Sequence, residues 1–165
     1  MLVEGASDRI ALETLARRRG RDLAAEGVEV RSIGGAQAIG RVVAELAPTV
    51  AVAGMCDAGE EAEFRRAFDG VKTLGYTVCV ADLEDELIRA LGPEVVKGVL
   101  DANGDLRPFR TMQKQPGWRG RPTEDQLRRF IGSGARRKLR YAAFLVDALD
   151  LDNVPPPLDD VLALV

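Results

Sequence analysis

Two stretches decide how this chain is read: TVAVAGMCD at 49–57 and YTVCVADLEDE at 76–86. Each is a short apolar, β-branched run without the alternation of a half-exposed strand, the pattern of strands covered on both faces in a parallel sheet. Each runs directly into acids, Asp57 in the first case and Asp82, Glu84, Asp85 and Glu86 in the second. Working outward, residues 1–4 read as the end of a first strand and VEVRSIGG at 28–35 as another. Between the strands lie helices at 7–19, capped by Ser7 or Asp8 and stopped by Gly20, at 37–47, ended by Pro48, then one reaching about residue 69 and one closing at Gly92. Four repeats of strand then helix predict an α/β fold, a mostly parallel four-stranded sheet flanked by helices.

Beyond Pro93 the pattern holds helices without strands, expected at 93–102, 123–131, 134–149 and 157–165, with 103–122 as a polar loop. The expected organisation is an α/β core over 1–92 and a helical C-terminal extension over 93–165 packed on it, together one domain, as suits 165 residues. The apolar tail residues Leu158, Val161, Leu162, Leu164 and Val165 are expected to be exposed and to favour a homodimer.

Composition removes whole classes of chemistry. The chain has no histidine, so histidine-based zinc sites and His-activated serine or cysteine nucleophiles have no place in it. Cys56 and Cys79 sit in or beside apolar runs without CxxC spacing and read as buried thiols in a reducing, cytoplasmic compartment. No apolar run approaches the roughly 18–20 residues of a membrane span, and the opening residues lack a signal peptide's basic and apolar regions. Net charge is −3, but the average hides a partition: residues 105–141 hold 11 basic side chains against three acids, and the remainder is strongly acidic. An acidic body beside a basic flank suits a protein that holds cations in one place and phosphates in the next.

In open α/β sheets ligands collect where the strands end. Three strand exits here carry acids: Glu4 with Asp8 one helical turn on, Asp57 with Glu60 and Glu61 behind it, and the acids at 82–86. Gathered on one crest with few cations between them, they would repel one another strongly unless a divalent ion were held there, and oxygen-only ligands favour Mg²⁺ or Mn²⁺. The glycines of SIGGAQAIGR at 32–41 fit neither a Walker loop nor a dinucleotide fingerprint. They read as a turn whose backbone N–H groups face a phosphate.

LVEGASD at 2–8 and GMCDAGEE at 54–61 resemble the Toprim domain shared by topoisomerases, bacterial primases and OLD-family nucleases. ADLEDEL at 81–87 and RRKLRYAAFLVDAL at 136–149 resemble the OLD version in particular. The resemblance implies a Toprim-like, Rossmann-like sheet and a Mg²⁺- or Mn²⁺-dependent endonuclease that hydrolyses or nicks DNA, RNA being an open alternative. It implies Glu4 as the Toprim glutamate, a metal ligand or general acid/base, Asp8 as the acid that serves a second ion, and Asp57 as the first aspartate of the DxD element. The second aspartate is replaced by Gly59, and Glu60 is the side chain that can reach back to that position. Asp82 or Glu84 would complete the other ion's shell, and Lys138, ahead of Lys114, matches the late lysine that neutralises charge on the phosphorane oxygens. Nucleic acid is expected on Arg110, Lys114, Trp118, Arg119, Arg121, Arg136 and Arg137, with Trp118 or Phe109 stacking on a base. OLD nucleases carry an ATPase domain, which this sequence lacks, so a separate ATPase partner or a missing N-terminal segment is expected.

Two other readings stay open on the sequence. One is a non-catalytic nucleic-acid-binding or partner-regulating module in which the incomplete DxD marks lost chemistry. The other is a phosphoacceptor receiver domain using Asp57, against which stand the glutamate turn in place of an acidic pair and the basic helices that follow.

Overall fold

The computed structural model describes residues 1–165. Four strands, β1 (Leu2–Val3), β2 (Arg31–Ser32), β3 (Val52–Asp57) and β4 (Thr73–Cys79), form one sheet in the order β2-β1-β3-β4, every neighbouring pair parallel. The helices are α1 (Ala6–Arg18), α2 (Ile39–Ala44), α3 (Glu61–Phe68), α4 (Leu83–Ala102), α5 (Leu106–Gln113), α6 (Thr123–Gly132), α7 (Ala135–Ala148) and α8 (Pro156–Ala163). The α/β fold with a parallel four-stranded sheet read from the sequence is the fold observed.

β3 shows why its sequence is apolar throughout. Its side chains alternate between two cores, as the period of two requires. Ala53 and Met55 join the larger one with Leu12 and Leu15 of α1, Leu87 of α4, Tyr141 and Leu145 of α7 and Leu158 of α8. Val52 and Cys56 join the smaller one with Ile39 and Val42 of α2 and Phe64 and Phe68 of α3. On that side the strand must also admit two phenyl rings: a Cβ at Gly54 would lie 2.9 Å from Phe68 and 3.0 Å from Phe64. Both cysteines are free and buried. No helix is long and apolar enough to cross a membrane.

The helical C-terminal elements share the larger core with the sheet. Arg18, at the end of α1, donates from Nη1 to the carbonyls of Val146 and Leu149, 2.6 and 2.9 Å, placing a cation on the carbonyl end of α7. α4 contains the break expected at Gly92, which sits at φ 75°, ψ 154°, a conformation glycine reaches at little cost, and Pro93 follows as the start of a new helical segment.

Several expectations change. Residues 103–122 are not all loop: α5 occupies Leu106–Gln113, because Leu106, Phe109 and Met112 recur at helical spacing, and Pro108 falls in the first turn, where its missing N–H costs no internal bond. Phe109 is fully buried, edge-on to Phe130 with ring centroids 5.5 Å apart, so it is a core residue and no base can reach it. Strand two is only Arg31–Ser32, shorter than the run before the turn glycines suggested, being an edge strand on an equally short β1. Strand four begins three residues earlier than expected and ends at Cys79, leaving Val80 exposed.

The apolar tail is the largest change. Leu158, Val161 and Leu162 are fully buried within their own chain, with Leu164 and Val165 packed at the margin, and Thr77 of β4 donates its hydroxyl to the Pro157 carbonyl at 2.7 Å. α8 therefore closes the sheet's own core and offers no free apolar face for a homodimer. Leu158→Ala is expected to destabilise the fold by about 2–5 kcal/mol, the usual cost of a buried leucine cavity, measured by chemical denaturation, with the sedimentation coefficient unchanged.

Candidate metal centre

The site is assembled by strand order. β1 lies beside β3 with Val3 opposite Met55, so Glu4 and Asp57, one and two residues further on, leave the sheet as neighbours. The Asp57 backbone N–H donates to Glu4 Oε1 at 2.8 Å. The chain then turns through a short 3-10 segment, Ala58–Glu60, that brings Glu60 back, so that one carboxylate oxygen each from Glu4, Asp57 and Glu60 lies within 4.8 Å of the others. Gly59, in place of a second DxD aspartate, faces open space, and nothing lies within 4 Å of where its Cβ would be.

Asp8, in the first turn of α1, accepts the Gly5 backbone N–H on Oδ2 at 2.7 Å, which ties the glutamate turn to the helix start. Glu4, Asp8, Asp57 and Lys138 line one cleft of about 590 Å³, with Ser7 and Ser32 on its wall and Leu83, Ala135 and Leu139 closing it from α4 and α7. Lys138 is thus brought to the acids from 81 positions beyond Asp57 in the chain.

The remaining acids are placed differently. Asp82 caps α4 by accepting the Asp85 N–H on Oδ1 at 2.8 Å, while its Oδ2 takes Arg128 Nε at 2.8 Å and Nη2 at 2.7 Å. Glu84 is buried and meets Lys138 Nζ at 3.1 Å. Glu86 is buried too, accepting the Val80 N–H at 2.8 Å and pairing with Arg89 at 2.8 Å. The expectation of few cations among the acids is therefore corrected: Arg128 pairs with Asp82 and Lys138 with Glu84. No local spacing links 82 with 128 or 84 with 138, so these pairings were not legible along the chain. The glycine turn also departs from expectation, since the N–H groups of Gly34 and Gly35 both donate to the Glu4 carbonyl, at 3.0 and 3.1 Å, and are not free for a phosphate.

The electrostatics follow from burial and crowding. Burial, then the charges of Glu4, Asp8, Asp82 and Glu60, push the Asp57 carboxyl up to about 7. Glu4, Asp8 and Glu84 are raised as well, burial being the largest cause in each. Burial opposes the Lys138 ammonium, but Glu84, then Asp8 and Asp82, outweigh it and raise its pKa, so it stays charged. Protons and one lysine thus relieve part of the repulsion, and the donor set left over, three converging oxygens with no nitrogen or sulfur, fits a hard divalent ion.

Of the basic side chains expected to meet nucleic acid, Arg110, Lys114, Arg119, Arg121 and Arg136 are exposed and Trp118 is half-buried. Arg137 turns inward, donating to the Phe130 carbonyl at 3.1 Å and Ser133 Oγ at 3.0 Å and lying 4.0 Å over the Phe130 ring.

A pH test checks the crowding. An unfolded aspartate ionises near 3.8, whereas folded Asp57 keeps its proton to about 7. Between those values the folded state binds the extra proton, so stability falls as pH rises from about 4 and levels off above about 7. In chelator, denaturation across this range is expected to show that fall, and Asp57→Asn to make it shallower, the rest coming from the raised Glu4, Asp8 and Glu84 carboxyls. Added Mn²⁺, which competes with those protons, is expected to stabilise more at pH 8 than at pH 5.

Comparison with known proteins places this geometry. Residues 1–48, which include Glu4 and Asp8, match the model of the overcoming lysogenization defect protein-like TOPRIM domain. No curated protein sequence matches the chain. Among solved structures, the C-terminal region of the OLD protein of Xanthomonas campestris pv. campestris superposes with a TM-score of 0.70 at 23% identity, covering 99% of this chain and 91% of that one. The C-terminal region of the Burkholderia pseudomallei OLD protein gives 0.68 at 16% identity, over 98% and 93%. The resemblance to the OLD-type Toprim domain therefore stands: the family's model matches the first 48 residues, and the fold of the whole chain is that of OLD C-terminal regions.

Proposed function

We propose that this chain is a magnesium- or manganese-dependent nuclease module that cleaves the phosphodiester backbone of DNA. The observation that carries the reading is the convergence of Glu4, Asp57 and Glu60, two of which, Glu4 and Asp57, line one cleft with Lys138. Glu4, Asp57 and Glu60 would hold the ion, and Asp8 would serve a second one. When bound, such an ion supplies Lewis-acid charge to a phosphodiester. That Glu60 lies within ligand distance of Glu4 and Asp57 supports it as the replacement for the aspartate absent at Gly59, and so favours a working site over a degenerate one.

The chain's own residues have separable tasks. Glu4 accepts the Asp57 N–H on one oxygen, which fixes its direction and leaves the other oxygen for a ligand. Asp57, whose carboxyl burial and neighbouring acids push up to about 7, would give up that proton on binding the ion. Lys138 is a permanent cation whose ammonium is aimed by Glu84, suited to charge building on the non-bridging oxygens of the scissile phosphate. Glu84 is thus a positioning residue for Lys138 in this scheme, and Asp82 holds Arg128 in place of a metal. The exposed basic residues Arg110, Lys114, Arg119, Arg121 and Arg136 would neutralise backbone phosphates on the approach to the cleft.

Incubation of the purified chain with supercoiled plasmid and Mn²⁺ tests this. Nicking is expected from the wild type and is expected to be lost in Glu4→Ala and Asp57→Ala; Lys138→Gln is expected to slow it about 10²–10³-fold while calorimetric Mn²⁺ affinity holds. Equal nicking by all of them would mean a contaminant. Binding of DNA in EDTA with no cleavage under any metal would instead establish a binding module. Gly59→Asp, for which the structure leaves room, is expected to tighten Mn²⁺ binding.

A further inference from the structure

Beside the acidic cleft lies a second concavity, of about 350 Å³, lined by Trp118, Arg121, Asp125, Arg128 and Arg129 and sharing Asp82 with the crest. Trp118 is the chain's one tryptophan and is only half-buried, on a turn between α5 and α6. That turn is held firmly. Gln126, a buried side chain of α6, donates from Nε2 to the Trp118 carbonyl at 2.8 Å and accepts Gln113 Nε2 at 2.6 Å. The Trp118 N–H donates to the Gln115 carbonyl at 2.9 Å. Arg121 donates from Nε to the Gly117 carbonyl at 2.9 Å, and its guanidinium lies over one face of the indole, 5.0 Å from the centroid, so a base would take the other face. Arg128 is already paired with Asp82, which leaves Arg121 and Arg129 against one carboxylate, Asp125.

A half-exposed indole on a fixed turn, with two unpaired guanidinium groups around a concavity, has the chemistry of a nucleotide seat: a π-face for a base and cations for its phosphates. A base inside a duplex is stacked on both faces and cannot offer one to the ring, so only an unpaired nucleotide fits. We infer that the Trp118 concavity binds an unpaired nucleotide of a nucleic-acid strand whose backbone continues across Asp82 into the acidic cleft. This rests on the nuclease reading above and makes a strand with a single-stranded stretch, such as a gap, flap or end, a better substrate than closed duplex plasmid. Asp82 lines the Trp118 concavity and its chain neighbour Leu83 lines the acidic cleft, so the two seats adjoin at the start of α4. The Arg128–Asp82 pair fixes their spacing by tying α6 to the start of α4.

Because Trp118 is the sole tryptophan, its emission reports this seat and nothing else. The intact chain, in EDTA so that no cleavage intervenes, is titrated with end-labelled (dT)₁₀, (rU)₁₀ and a blunt ten-base-pair duplex, reading label anisotropy and tryptophan emission together. The expected result is at least a halving of emission on saturation with a single strand, with little change for the duplex. Quenching by (dT)₁₀ alone or by (rU)₁₀ alone assigns the sugar. Trp118→Ala is expected to weaken single-strand binding about 5- to 150-fold, and Trp118→Phe to restore most of it, since the ring is what stacks. Arg121→Gln and Arg129→Gln are expected each to lower the slope of log affinity against log salt by about 0.7. An anisotropy rise with unchanged tryptophan emission, or equal quenching by duplex, overturns the inference and leaves the nuclease reading standing. No anisotropy change with any nucleic acid overturns the inference too, and the nuclease reading is then decided by the plasmid assay, in which Mn²⁺ is present.

Discussion

The site hangs on the parallel pairing of β1 with β3. β1 is only two residues long, yet Leu2 and Val3 are buried on opposite faces, and their register against Gly54 and Met55 sets where the chain leaves the sheet. A slip of one residue would turn Leu2 and Val3 to the wrong cores and carry Glu4 away from the Asp57 N–H. The two hydrophobic cores therefore position a polar site: the packing of Val3 under α1 and of Cys56 over α3 is what holds two carboxylates side by side.

Carboxylates held in that way cost free energy, and the structure shows three means of limiting it. Protonation is one, expressed in the raised Asp57, Glu4 and Asp8 carboxyls. Ion pairing is the second, with Lys138 on Glu84 and Arg128 on Asp82. Backbone donors are the third: the Asp57 N–H on Glu4, the Gly5 N–H on Asp8 and the Asp85 N–H on Asp82. The three-oxygen group of Glu4, Asp57 and Glu60 has only one of those donors and no ion pair at 4 Å or less, so it is where a divalent ion would gain the most. The helical C-terminal elements are thus part of the site, since α6 and α7 supply the cations that pair with the 82–84 acids and offset part of their charge.

Acidic residues that share a sequence pattern split into different tasks here. Asp57 ends β3 and Asp82 follows β4 by three residues, and each begins a helical turn, but Asp57 faces other acids while Asp82 faces an arginine from α6. Glu84 and Glu86 lie two apart on one helix, and Glu84 turns to Lys138 whereas Glu86 closes back on the Val80 N–H. Nothing in DLEDE distinguishes these roles, because each is set by what the next layer brings over it.

The alternation of buried strands and helices, and the acids at strand ends, were legible in the chain because both are local: period, run length and the residue that follows a run. The same local reading placed Glu4, Asp57 and Glu60 at one crest once the strands were taken as parallel neighbours. Contacts across long sequence separation were not legible. Phe109 read as a loop aromatic and is core, because α5 docks on α6; Leu158 and Val161 read as an exposed tail and are core, because α8 folds back on β3 and β4. Arg128, 46 positions from its partner, gave no signal at all. Sequence by itself determined which segments must be hidden and where charge must emerge, since hydrophobic period acts over a few residues. Tertiary structure alone decided which charges meet, since an ion pair needs only proximity in space, and proximity between distant segments is fixed by packing.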